Sequence, residues 1–243
     1  MRDINNLLQK FIGKRAQAFE SYRVRTSTVT IEVKDGRLET SKQAQTEGFC
    51  LRTIHNGRLG FSYTFSLEPR SVRAMVDNAL ESAQGTDPDP AYGLPDDDGY
   101  PLPVLRTYDS SIEGIPRQKK VALASVLEGS AYSLSRKVKR VRKATYAEYR
   151  AEVFLMNSNG LQLSDRQTIV TLGVMAVAEE KKDSQMGWES DFSHFFGELD
   201  PEEIGRTAAH KAVSSLGARR IKSLSCPVAV SYTHLRAHET VLD

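Results

Sequence analysis

Val29, Ile31 and Val33 alternate with Thr28, Thr30 and Glu32, and Leu59, Phe61, Tyr63 and Phe65 alternate with Arg58, Gly60, Ser62 and Thr64. A period of two sets one series on a core face and the other towards water, so both runs read as strands. Each adjoins a similar phrase: Lys34-Asp35-Gly36-Arg37-Leu38 in one case, His55-Asn56-Gly57-Arg58-Leu59 in the other. Asp-Gly and Asn-Gly supply the positive φ angles of a type I′ turn, the strongest short-range hairpin signal. The pattern predicts an antiparallel meander. A first strand, Ala16 to Arg25, leads into it, and Gly48-Phe49-Cys50-Leu51-Arg52 opens its third strand.

Helical spacing brackets the meander. Ile4, Leu7, Leu8, Phe11 and Ile12 recur at i, i+3, i+4, with Gly13 as a stop. Pro69 stands in the first turn of a second helix, where its missing N–H costs nothing. Val72, Met75, Val76, Ala79, Leu80 and Ala83 form its apolar stripe, ended by Gly85. Residues 1–85 thus read as an α+β domain of helix, four strands and helix, with the helices on one sheet face. Residues 86–111, with Pro88, Pro90, Pro95, Pro101, Pro103 and Asp96-Asp97-Asp98, read as a linker or a functional loop, linker first.

A second α+β unit is expected over residues 112–225, with antiparallel strands and flanking helices. Its opening helix follows Gly114, with Leu123, Val126, Leu127, Ala131 and Leu134 on one face. Asn157-Ser158-Asn159-Gly160 marks a third hairpin turn. The run Thr168 to Ala178 is apolar on both faces and predicts a central strand covered twice. Asp200, Pro201 and Glu203 open a last helix with a capping box. Between them, Lys181 to Glu198 reads as a loop carrying Trp188, Phe192, His194, Phe195 and Phe196. Such aromatics either tuck over the core, the first expectation, or present a surface to a partner or peptide. Trp188, Phe192 and His194 are the candidate surface.

Composition narrows the chemistry. With 33 basic and 31 acidic residues the net charge is +2, which gives no global field for nucleic acid. The one concentrated basic stretch is Arg136-Lys137-Val138-Lys139-Arg140-Val141-Arg142-Lys143. It lacks interleaved stacking residues, so a solvated or edge-protecting strand is favoured over a DNA-binding patch. Cys50 and Cys226 are far apart and match neither a disulfide framework nor a zinc motif. No signal peptide or membrane-length apolar run stands out, so a soluble, cytoplasmic protein is expected.

Three phrases together carry a resemblance: Asp35 to Thr40 (Asp-Gly-Arg-Leu-Glu-Thr), Glu47 to Arg52 (Glu-Gly-Phe-Cys-Leu-Arg) and Asn56 to Thr64. With Asn157-Ser158-Asn159-Gly160, Gly187-Trp188 and Leu199-Asp200-Pro201-Glu202-Glu203-Ile204-Gly205, they resemble the TldD/PmbA family, long labelled modulators of DNA gyrase and understood as cytosolic metallopeptidase assemblies. The later phrases are closer to the PmbA (TldE) branch. That branch lacks the metal motif and pairs with a catalytic TldD-like subunit as a heterodimer. The resemblance implies chamber wall and peptide-binding surface for an unfolded client, with self-association as the other partnership.

In the catalytic branch, a His-Glu-x-x-x-His helix in the C-terminal domain holds the metal. The resemblance places only the start of that domain here, at Cys226-Pro227-Val228-Ala229-Val230. No cofactor, catalytic residue or metal ligand is therefore expected within the chain. A zinc-type metal belongs to the partner or to a missing C-terminal domain, so a truncated catalytic subunit is an alternative reading. A DNA- or gyrase-associated module acting through residues 136–143 is another. Residues 231–243 depart from the family pattern and read as a non-native tail. His234 and His238 stand at i, i+4 there without an intervening acid in the required place.

Overall fold

The computed structural model describes residues 2–97, 99, 103, 105–220, 222, 223, 225 and 227. Helix α1 (Arg2–Ile12) ends where Gly13 takes a positive φ of 52°. Strands β1 (Ala18–Lys34), β2 (Arg37–His55) and β3 (Arg58–Thr64) form the meander, followed by α2 (Pro69–Gln84). The second half repeats this order with α3 (Arg117–Ser133), β4 (Val138–Asn157), β5 (Gln162–Glu180), β6 (Asp183–Ser193) and α4 (Pro201–Ser214). The class is α+β. Both type I′ turns form, with Asp35 and Asn56 at φ 51° and Gly36 and Gly57 at 69° and 68°.

The strands are longer and fewer than the alternation predicts. The expected Ala16–Arg25 strand, from Ala18 onwards, and the Val29–Val33 run belong to one strand, and the strand containing Gly48 begins at Arg37. Thr26, Ser27 and Thr28 carry no turn residue and pair in register with Thr46, Gln45 and Ala44. β-Branched threonines keep such a stretch extended. Lys181 to Glu198 is likewise not a loop: residues 183–193 form edge strand β6, pairing with β5 from Glu180–Asp183 to Val170–Ser193.

One antiparallel sheet contains every described strand, in the order β3-β2-β1-β4-β5-β6. The order is a palindrome about the β1–β4 pair, which runs from Glu20–Asn157 to Val33–Ala144. Two apolar clusters line one face. Leu8, Phe19, Leu51, Val72, Met75 and Val76 pack with α1 and α2. Ile31, Leu127, Tyr146, Leu172, Ile204 and Ala208 pack with α3 and α4. Phe19 and Ile31 share parity on β1, so both clusters sit on the same side of the sheet.

Polar contacts connect the halves. Glu128 is buried on α3, and its carboxylate accepts the amides of Asp35 at 2.6 Å and Gly36 at 2.9 Å, gripping the β1–β2 turn. Lys120, also buried, pairs with Glu148 of β4. Glu148 accepts the Tyr146 hydroxyl at 2.9 Å and lies 3.3 Å from the Arg150 guanidinium. Burial and the adjacent Glu148 carboxylate push the Tyr146 phenol far above its usual range. These groups rotate α3 relative to the expected stripe: Val126 and Leu134 face outwards, whereas Lys120, Ala124, Leu127, Glu128 and Ala131 face in.

The remaining expectations also change in detail. β4, which carries the basic run, is an interior strand and not an edge. Its cations meet acids on neighbouring strands: Lys137 with Glu180, Arg140 with Glu179, Lys143 with Glu32. Asp200 caps α4 by accepting from the amides of Glu202 and Glu203, but Glu203 engages Thr207 and Arg206 rather than reaching back. The segment after α2 is fastened to the sheet. Asp89 donates to the Gly57 carbonyl at 2.7 Å, and Asn157 donates to that of Pro95 at 2.7 Å.

Glu128→Ala should lower stability by roughly 2–4 kcal/mol, because it removes a buried acceptor from two amides and disturbs a packed helix face. Equilibrium urea unfolding checks this. A loss under about 0.5 kcal/mol would show that the turn does not depend on the carboxylate.

Candidate functional site

Two glycines decide which way the edge strands face. A Cβ built on Gly187 would lie 2.1 Å from the Ala208 carbonyl oxygen and 2.4 Å from the Ala212 nitrogen. One on Gly60 would lie 1.9 Å from the Ala79 carbonyl oxygen. Only glycine lets the α4 and α2 backbones seat this closely on β6 and β3. The neighbouring side chains then point away from the helices. Trp188 is 58% exposed and Phe192 65%, with Met186 beside them. At the other edge Phe61, Tyr63 and Phe65 are exposed in the same manner.

The expectation that Trp188 and Phe192 tuck over the core therefore fails. Their burial is prevented because the core side of β6 is already taken by Gly187 and Glu189. Lys211 of α4 donates to Glu189 at 2.6 Å, which fastens that side of the strand. His194 stands apart from the two aromatics. Its Nδ1 lies 2.6 Å from the Thr168 carbonyl, and its own carbonyl accepts the Thr168 hydroxyl at 2.7 Å, so it locks the end of β6. Phe196 is the aromatic that does turn inwards, meeting Tyr146 edge-to-face at 6.0 Å.

β5 shows the same asymmetry. Thr168, Val170, Leu172, Val174 and Ala176 are buried beneath α3 and α4, whereas Ile169, Thr171, Gly173 and Met175 are only half-buried. The strand is central but covered once. A contiguous exposed face with aromatic and thioether side chains is a surface that calls for a partner. Sequence alternation contained this signal in Met186, Trp188 and Phe192, but the intervening Asp191 and Ser190 gave no apolar row to match them.

Clefts open on more than one side of the sheet. A cleft of about 560 Å³ on the open face is lined by Arg142, Lys143, Thr145, Met175, Trp188 and Ser190. A second, about 500 Å³, separates the two apolar clusters on the helical side, with Arg23, Arg25, Tyr108, Glu152 and Arg166 on its walls. The largest of these, about 920 Å³ beside α1 and α2, holds the Arg15–Asp77 pair and Arg58, which donates to the Thr86 carbonyl, with Lys14 and Glu81 also on its walls. Its His55 Nδ1 is enclosed without a hydrogen-bond partner. The open-face cleft is the one bordered by exposed apolar side chains.

No group of three or more His, Cys, Asp or Glu side chains converges among the described residues in a way that could hold a metal ion. The described residues thus do not fit a metallopeptidase centre, and no chemical step is assigned to them. His234 and His238, and the 226–230 segment apart from Pro227, lie outside the described residues. Among the described residues no helix is long and apolar enough to cross a membrane.

The Lys211–Glu189 pair gives a pH test. The hydrogen bond from Lys211 holds the Glu189 carboxyl below its ordinary value of 4.5. A lowered folded-state pKa means stabilisation fully present above that ordinary value and lost as pH falls through the lowered one. The pair is partly exposed, so it contributes less than about 1 kcal/mol. Unfolding of the wild type and Lys211→Met across pH 3–7 should show a small wild-type advantage that disappears on acidification. An advantage that grows below pH 4 would contradict the assignment.

Comparison with known proteins places this geometry in a family. Residues 110–216 match the PmbA/TldA metallopeptidase central domain, and residues 20–83 match the PmbA/TldA metallopeptidase domain 1. The chain is 22% identical over 208 residues to the metalloprotease PmbA of Escherichia coli O157:H7, covering 84% of this chain and 46% of that protein. It is 29% identical over 197 residues to a metalloprotease of Methanothermobacter thermautotrophicus, covering 79% of this chain and 41% of that one. A candidate modulator of a DNA gyrase from Thermotoga maritima shares the fold at a TM-score of 0.81, with 21% identity over 91% of this chain and 50% of its own. TldE from Thermococcus kodakarensis does so at 0.76, with 18% identity over 86% and 47%. The chain spans about half the length of the relatives it matches. It belongs to the PmbA/TldD metallopeptidase family.

Proposed function

We propose that this chain is the metal-free, PmbA-like partner in a peptidase assembly, providing chamber wall and peptide-binding surface while a TldD-like subunit supplies the metal. One observation carries this reading: the sheet has helices on one face only, and its other face exposes Trp188, Phe192, Met186, Phe61 and Tyr63. An antiparallel sheet covered on one side can hold extended polypeptide on the other, through side-chain pockets and through pairing at the β6 edge. Large aromatics lose little conformational entropy per unit of area buried, which suits them to anchor a partner or client. Zinc-type chemistry then resides outside the described residues, and this chain's contribution is to hold the client.

A second reading draws on the Methanothermobacter thermautotrophicus relative, whose name is simply metalloprotease. On that reading a longer form of this protein carries its own metal site. Metal analysis of the longer protein purified without a partner separates the two: stoichiometric zinc supports the second, and its absence together with metal in the TldD-like subunit supports the first.

Trp188→Ala with Phe192→Ala should weaken association with the catalytic subunit or with an unfolded client at least tenfold. Because both side chains are mostly exposed, stability should fall by less than about 1 kcal/mol. Equilibrium unfolding of the double variant beside a binding titration checks both. A stability loss above about 3 kcal/mol would mark the aromatics as core, and unchanged binding would remove them from the interface.

A further inference from the structure

The open-face cleft has a definite chemical character. Lys143 of β4, Met175 of β5 and Trp188 of β6 stand in one cross-strand row. Thr145, Gly173 and Ser190 stand in the next, with no bulky side chain. The cleft is therefore a trough with an indole wall and a floor of small residues. Its charged lining consists of Arg142 and Lys143, with no carboxylate. Lys143 is already paired with Glu32. Arg142 is exposed, touches the Met186 sulfur at 4.0 Å and has no ion-pair partner among the described residues.

Resting on the reading of this face as a peptide surface, the geometry points to a preference for extended peptides that place a carboxylate beside a large apolar side chain. The apolar side chain lies against Trp188 and Met175, and the carboxylate meets Arg142. The dimensions agree. Two strand spacings separate β4 from β6, roughly 10 Å, and same-side positions of an extended peptide are about 7 Å apart. The long arginine side chain covers the difference. Its guanidinium offers the planar, two-pronged donor geometry that carboxylates accept best. A basic peptide would meet the unpaired Arg142, and a wholly apolar one would leave Arg142 desolvated without a partner.

Trp188 is the only tryptophan in the chain, so its emission reports on the cleft directly. The 243-residue protein is titrated with three peptides: acetyl-Leu-Ser-Glu-Ser-Leu-amide, whose Leu and Glu share one side of the extended chain, and its Gln and Lys counterparts at the central position. The Glu peptide should shift the emission saturably, and the Gln and Lys peptides should bind at least tenfold more weakly. Added salt should narrow the gap. Arg142→Gln should bring the Glu peptide down to the Gln level, and Arg142→Lys should restore part of the difference. Equal affinity for all three peptides would overturn the carboxylate preference and leave the peptide surface standing. No response to any peptide would overturn both. An emission change that follows protein concentration without peptide would assign the cleft to a second copy of the chain. An oligo-dT that binds more tightly than the Glu peptide would assign it to nucleic acid. Either of these overturns the preference.

Discussion

The absence of a side chain at Gly60 and Gly187 is the constraint on which the rest of the molecule depends. At each end of the sheet, a helix backbone occupies the space where a Cβ would stand. That contact holds α2 on β3 and α4 on β6, and it draws both helical layers to the same face. Everything apolar on the opposite side of those strands is left uncovered as a consequence. The β1–β4 ladder makes the two halves one surface, and the grip of Glu128 on the Asp35-Gly36 turn sets α3 against the N-terminal hairpin.

Burial on the covered face is unremarkable for a domain of this size, with Ile, Val, Leu and Ala in close contact. The distinguishing feature is the polar strip threaded through it. Lys120, Glu148 and Tyr146 form a hydrogen-bonded group at the base of α3, with the Arg150 guanidinium 3.3 Å from the Glu148 carboxylate. Such groups add little net stability over an apolar core of the same shape, yet losing one member leaves a charge buried and unpaired. Their effect is to fix the rotation of α3, because only one orientation brings Lys120 to Glu148 and Glu128 to the turn. Positioning of the helical layer is thereby specified by charge, and positioning of the edge strands by close approach.

Much of this was legible in the residues and some was not. The Asp35-Gly36, Asn56-Gly57 and Asn159-Gly160 turns announce themselves because few other residues accept positive φ. The stripe of α2 and the Asp200 cap of α4 are equally direct. The full length of the long strands is not visible locally because Thr26 to Thr28 and Thr40 to Glu47 lack apolar alternation. Their extended form comes from pairing with strands far away in sequence, which no local pattern contains. The inward face of α3 is hidden for the opposite reason: Lys120 and Glu128 look solvent-bound until their partners on β4 and the first turn are known. The aromatic character of Trp188 and Phe192 marks them as candidates for a surface, but the polar residues around them hide the strand they stand on. Gly187 held the clue, since a glycine amid strand-forming residues marks a close approach of another backbone.

The central claim is that the open face of the sheet is the working surface. Hydroxyl-radical footprinting tests it most directly, since methionine and aromatic side chains react readily and can be followed residue by residue. In the chain alone, Met186, Trp188 and Phe192 should label strongly, whereas Met75 and Tyr146, buried on the helical face, should not. On saturation with the catalytic subunit or with an unfolded client, labelling of the three open-face residues should drop several-fold and the buried pair should stay silent. If binding is complete and Met186, Trp188 and Phe192 label as strongly as before, the partner sits elsewhere and the account is wrong.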